Sequence, residues 1–338
     1  MADYIDSNLD DPAKYFTTFL WTGDGTSPRS LTGVGFQPDM MWSKIRDVGH
    51  EHSVVDDVRG VDNKRLKTNT NAAEDTTNTH GHFDSLDSDG FTVTGASGYY
   101  NVNRNNEPYV GWCWKESATS GFDIVGYTGN STARTISHSL SAVPKVILGK
   151  RRSDASNWCM YHASVGNTKA LYLNDSTIGA TSTTFWNDTD PTSSVFTVGT
   201  DAALNGNTDT QIAYLWSEKQ GFSKFGSYKG NGNANGAFVY LGFRPAFLLI
   251  KRSSATGVDW ILHDNKRAGF NVNDDYLAAN TDAAEVTGNT YQNLDLLSNG
   301  FKMRGSGTGT NTSGETYVYM ALAESPFVNS KKIPNNAR

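Results

Sequence analysis

The chain has 338 residues, a formal net charge of −6 and a 37% hydrophobic share, with Gly, Asn, Thr, Ser and Asp plentiful. That length exceeds one ordinary core, and the turn-rich, weakly apolar mix predicts an all-β protein with many loops. Lysines and arginines are scattered instead of forming the basic face that a phosphate backbone needs, so nucleic acid is not an expected partner.

No apolar run approaches the ~18 residues of a membrane-crossing helix, so no membrane insertion is expected. The start, Met1-Ala2-Asp3-Tyr4-Ile5-Asp6, lacks the basic and then hydrophobic stretch of a signal peptide. The two cysteines, Cys113 and Cys159, lie in separate apolar strand patterns and are expected to be buried free thiols.

Residues 1–14 are polar and acidic and read as an arm suited to docking on other proteins. Beyond the arm, one pattern is written three times. Gly35-Phe36-Gln37-Pro38, Ser141-Ala142-Val143-Pro144 and Gly242-Phe243-Arg244-Pro245 each lead into a short apolar run with a basic exit, and the prolines stand about 100 residues apart. Proline suits a strand's first residue, where its fixed φ fits and its missing N–H does least harm.

The other landmarks keep their order. Turns at Trp21-Thr22-Gly23, Tyr127-Thr128-Gly129 and Tyr228-Lys229-Gly230 come first, and strands around Phe91, Phe196 and Phe301 follow. Aromatic strands close each unit at 109–114, 211–216 and 317–322. The predicted organisation is an arm at 1–14, repeats at 15–118, 119–219 and 220–326, and a polar coda at 327–338. No helical spacing persists over several turns, so each repeat is predicted as an antiparallel β-sandwich, jelly-roll-like, in tandem with the next. The order of landmarks leaves open whether the repeats form a line or a pseudo-threefold.

The sequence of an aromatic-x-Gly turn, Gly-Phe-x-Pro, a Lys-Arg exit, a Ser-x-Gly-Phe strand and a closing Tyr-Val-x-Trp-x-Trp-Lys resembles a tandem-repeat family of tailed, often marine, bacteriophages. Its members are labelled structural or tail-fibre-like. The likeness spans about residues 16–326, and the second repeat departs from it at Ser141-Ala142-Val143. The resemblance implies a non-enzymatic virion protein, with a tail fibre or appendage that contacts the host surface as the leading expectation. A capsid-surface or head-fibre decoration protein and a tail polysaccharide depolymerase are the alternatives. It brings no catalytic residue and no cofactor. Partners would be other virion proteins through the arm and a host surface glycan or protein. A homo-oligomer is expected, a trimer being common among fibres.

His50-Glu51-His52 and His80-Gly81-His82 could each turn two imidazoles to one face of a strand and so to a metal, but the other repeats lack both pairs, and solvated loop histidines are the preferred reading. The carboxylates Asp56, Asp57, Asp84, Asp87, Asp89, Asp274 and Asp275 invite comparison with a glycosidase pair, yet Asp87-Ser88-Asp89-Gly90 reads as a turn whose third-repeat counterpart has Asn299. Asp84 to Gly90 lacks the terminal Glu of a calcium loop, and Gly305-Ser306-Gly307-Thr308-Gly309 reads as a flexible hairpin tip. Tyr99, Tyr100, Phe185 and Trp186, in loops of Ser, Thr, Asn and Asp, are the candidate surface contacts for a glycan.

Overall fold

The computed structural model describes residue 9 and residues 11–77, 81–95 and 102–323. Among these residues it is all-β and antiparallel, with two four-residue α-helices, Thr183–Trp186 and Ala202–Asn205, and one short 3-10 turn at Pro12–Lys14.

One sheet order occurs three times. An opening strand pairs with the closing strand, which pairs with the proline strand, which pairs with the strand that follows it. The opening strands are Phe16–Thr22, Phe122–Thr128 and Ser223–Lys229, and the closing strands are Pro108–Trp114, Thr210–Ser217 and Thr316–Ala323. The proline strands, Met40–Ile45, Pro144–Arg151 and Pro245–Arg252, therefore lie inside each sheet, and each pairs on its other side with the next strand in sequence, Ser53–Asp56, Cys159–His162 or Ile261–Asp264. The entry proline gives up no sheet bond, and in the second and third repeats the register shifts immediately after it.

A smaller sheet accompanies each large one: Arg29–Thr32 with Gly90–Thr94 and His82–Asp87, Arg134–Ser137 with Val195–Val198, and Phe238–Tyr240 with Gly300–Met303 and Leu294–Leu297. The period-two alternation of strand side chains decides which layer each residue joins. Along the first closing strand, Tyr109 and Cys113 pack toward the small sheet, while Val110, Trp112 and Trp114 point the other way. Along the second, Ala213 and Leu215 face the small sheet and Ile212, Tyr214 and Trp216 face away from it.

Those opposite faces meet in one core. Trp114 packs edge-on against both Trp216 of the second repeat, at 6.3 Å, and Phe247 of the third, at 5.6 Å. A repeat thus has its own inner layer, but the far face of its large sheet is covered by the other two repeats. Removing any one would expose aromatic side chains whose burial is each worth about 1.5–3 kcal/mol.

Candidate functional site

Polar bonds at the seams between repeats follow one rule, and it closes a ring. Trp158 of the second repeat donates its indole N–H to the Lys67 carbonyl of the first, at 2.8 Å. Trp260 of the third donates in the same way to the Tyr172 carbonyl of the second, also at 2.8 Å. The corresponding position in the first repeat is His52, whose Nε2 lies 3.1 Å from the Ala278 carbonyl of the third. The equivalence is exact in backbone terms: the amides of His52, Trp158 and Trp260 each bond an asparagine side-chain oxygen, of Asn69, Asn174 and Asn280. Three repeats therefore touch head to tail around a pseudo-threefold, with the third returning to the first.

His52 is fully buried, and burial pushes its pKa down to about 3. Its Nδ1 accepts from the Trp42 indole at 2.9 Å, so the neutral ring carries its proton on Nε2 and donates it to Ala278. This corrects the solvated reading of His50 and His52: both are buried, and His52 has no nitrogen left for a metal. His80 lies outside the described residues.

Three lysines occupy a second equivalent set. Lys44, Lys150 and Lys251, the basic exits of the proline strands, are buried, and their ammonium groups bond backbone carbonyls. Lys150 reaches across a seam to the Asn71 carbonyl at 3.3 Å, and Lys251 to the Ser176 carbonyl at 2.9 Å. Burial pushes each down to about 8.

A third set is present at two seams and missing at one. Asp56 pairs with Arg59 at 2.5 Å, Arg59 with Glu74 at 2.7 Å, and Glu74 crosses the seam to Arg152 at 2.8 Å. Asp264, Arg267, Glu285 and Arg46 repeat this chain from the third repeat to the first, at 2.6, 2.6 and 2.7 Å. The carboxylates also receive a donor from the next repeat, Tyr214 Oη on Asp56 at 2.5 Å and Trp112 Nε1 on Asp264 at 3.1 Å. At the seam from the second repeat to the third the same four places hold His162, Val165, Gly179 and Ser253, and Met320 stands where the donor would be. All members are replaced together, as expected when a lone survivor would be a buried, unpaired charge. Burial favours the uncharged forms of Asp264 and Arg267, but their mutual attraction outweighs it, lowering the aspartate pKa and raising that of the arginine.

The remaining sequence candidates separate. Phe185 and Trp186 are corrected: Ser182 caps a single helical turn that drives both rings into the second repeat's inner layer, and the Trp186 indole bonds the Lys169 carbonyl at 3.1 Å. Neither ring offers a face to a sugar. Tyr99 and Tyr100 lie outside the described residues. Cys113 and Cys159 are buried free thiols. Asp87 accepts from Ser85 and Thr92, and Asp89 from the amides of Gly33 and Gly35, as turn residues do. Gly305 and Gly307 are not a flexible tip. Both are buried, and a Cβ on Gly305 would lie 2.0 Å from the Tyr291 carbonyl.

Glu116 and Asp123, which the sequence did not single out, hydrogen-bond each other. Burial first and Asp123 second push Glu116 up to about 8, while bonds from Glu116 and the Ser139 and Ile124 amides hold Asp123 low. Carboxyls in direct contact are too close for a glycosidase pair, which needs about 5 Å or more between them.

An exposed aromatic pair was also missed. Phe238 and Tyr240, 48% and 60% exposed, flank buried Val239 on the outer face of the third small sheet. The first and second repeats place Ser30 and Thr32, and Thr135 and Ser137, at these positions. Lys224 lies 5.4 Å from the Tyr240 ring, and Lys302, cross-strand from Phe238, bonds Asn235 at 2.6 Å. Aligning Phe238-Val239-Tyr240 with Ser30-Leu31-Thr32 would have revealed it.

A family model described as a domain of unknown function, DUF7483, matches residues 11–326. No curated protein and no solved structure matches the chain.

Proposed function

We propose, from the premise that this chain belongs to the DUF7483 family, that it is a non-enzymatic virion protein of a tailed bacteriophage, most simply a tail fibre or appendage component that meets the host surface. In this reading each large sheet and its small partner make one jelly-roll-like sandwich, and three in tandem form a rigid knob. The observation that carries the proposal is the commitment of the buried ionisable groups at the seams to scaffold bonds: the three lysines to carbonyls, His52 to Trp42 and Ala278, and the Asp-Arg-Glu-Arg chains to one another. Such an arrangement supplies shape and surface, whereas a reactive centre needs a titratable group held free for substrate.

The host-facing element in this proposal is the Phe238 and Tyr240 face, with its flanking Lys224, Asn235 and Lys302. Flat rings beside amide and ammonium donors suit a saccharide, which offers a C–H face and a rim of hydroxyls.

Antibody labelling under the electron microscope tests the placement: label on the tail supports it, and label confined to the head transfers the protein to capsid decoration. New reducing ends after incubation with host polysaccharide would overturn the non-enzymatic reading.

A further inference from the structure

We propose that Asp62, His82 and Asp84 form a binding site for a divalent transition-metal ion of the zinc or manganese class, on the outer side of the first repeat. One ligand atom from each lies within 4.8 Å of the other two. His82 Nε2 stands 3.3 Å from an Asp62 carboxylate oxygen and 3.9 Å from one of Asp84. In a tetrahedral site with bonds of about 2.0–2.1 Å, neighbouring donors are roughly 3.3 Å apart, so the first distance already fits and the second closes with a small side-chain rotation.

The backbone is shaped for this grouping in the first repeat alone. His82 and Asp84 lie on the strand His82–Asp87, and its pairing with Gly90–Thr94 skips Asp84, which is the extra residue of a β-bulge between Phe83 and Ser85. A bulge re-aims one side chain relative to the regular alternation, and bulges are common beside functional sites. The matching strand of the third repeat, Leu294–Leu297, pairs with Gly300–Met303 without interruption and carries no histidine.

Two more observations point to a cation. The Thr94 hydroxyl, from the residue cross-strand to His82, lies 2.9 Å from Nδ1. It also lies 3.0 Å from Nε2 and so offers an oxygen on the same edge of the ring. The amide oxygen of Asn63 is buried without a hydrogen-bond partner and lines the same cavity as His82. Asp62 and Asp84 are exposed, so an ion could enter from solvent and keep water in its open positions. One nitrogen with carboxylate oxygens favours zinc or manganese over calcium, which takes oxygen ligands. The ion would tie the segment after Ser53–Asp56 to the edge of the small sheet.

The experiment is a titration of the chelator-treated full chain with Zn²⁺ by calorimetry and with Mn²⁺ by electron paramagnetic resonance, with thermal unfolding in parallel. One equivalent should bind and raise the melting temperature. His82→Ala should abolish binding, and Asp62→Asn and Asp84→Asn should each weaken it more than tenfold. His138→Ala, at a half-buried histidine of the second repeat, should bind as the parent does. Absence of binding at millimolar metal, or parental affinity in His82→Ala and Asp84→Asn, overturns the proposal. Should His82→Ala fail to fold, the two carboxylate variants decide it.

Discussion

The imidazole of His52 and the carbonyl of Ala278, at 3.1 Å, bring the first repeat against the third at the place where indole-to-carbonyl bonds join the other pairs. A histidine does there the work of a tryptophan because both present a ring N–H in the same direction.

Trp158→Phe and Trp260→Phe keep the apolar body of the ring but leave the carbonyls of Lys67 and Tyr172 with only long bonds, at 3.4 Å, from the Thr70 and Asp175 amides. Each should destabilise the fold by about 1–3 kcal/mol. Chemical denaturation would show this as a lower midpoint with an unchanged slope.

Glu74→Gln removes the charge that pairs with both Arg59 and Arg152. The loss should be about 1–3 kcal/mol, since Arg59 keeps Asp56 and only the bonds from Arg59 and Arg152 to a charged acceptor are weakened. Gly179→Ala, at the corresponding place of the seam without ion pairs, should also destabilise, for a different reason: the added Cβ would lie 1.8 Å from the Ala170 carbonyl, and φ there is +75°. Only the Glu74→Gln deficit should vary with salt and pH.

The seam between the second and third repeats should open first. The Gly257 amide bonds the Ser176 carbonyl there as the Ser156 amide bonds Asn71 between the first and second, at 3.0 and 2.7 Å. With no Asp-Arg-Glu-Arg chain beside it, Gly257 should exchange its amide hydrogen faster than Ser156 under native conditions. Equal protection would show that the ion pairs do not set seam strength.

The three buried lysines should raise stability as pH climbs from about 8 to 9, above which the buried Cys113 and Cys159 thiols and the buried Tyr127 and Tyr214 phenols, all pushed up by burial, pull it down again. The folded chain holds Lys44, Lys150 and Lys251 near 8 against an ordinary 10.5, so over this range the unfolded chain binds more protons. The cost of burying three ammonium groups is full below about 8 and relieved as pH climbs toward the unfolded value. At the acid end the sign also follows from burial: His52, His162 and His263 sit near 3 to 4, so the stability of their neutral forms is present above about 6.5 and lost as pH falls toward 4. Urea midpoints across pH 4 to 10 check both limbs.

Phe238→Ser with Tyr240→Thr copies the first repeat's outward residues onto the third. It should leave the melting temperature nearly unchanged, because both rings are exposed, and should reduce particle adsorption to host cells. Adsorption at the parental level would remove this face from the host contact.

Much of the fold was legible because strand alternation is a local signal. The prolines 38, 144 and 245 and the closing strands told where sheets would lie, and alternating residues such as Trp112 and Cys113 told that both faces would be buried. The ring was not legible, since its joints are single bonds between residues distant in sequence, such as His52 and Ala278. Phe185 and Trp186 misled because their Thr-rich surroundings look solvated, whereas one capped turn hides them. His82 was legible only beside His80 in the sequence, whereas its approach to Asp84, at 3.9 Å, depends on a bulge that no spacing rule anticipates.

The last joint of the ring is made like its first two, and the chain passes through only the first two. Trp114 and Phe122, 6.4 Å apart, flank one covalent crossing; Phe16 meets Phe247, whose cross-strand neighbour is Leu322, where no crossing is made. A chain opened between the first and second repeats and joined from the third repeat to the first should keep the same three ring-to-carbonyl bonds. For this architecture, which repeat is translated first is an accident of history with no bearing on the shape that results.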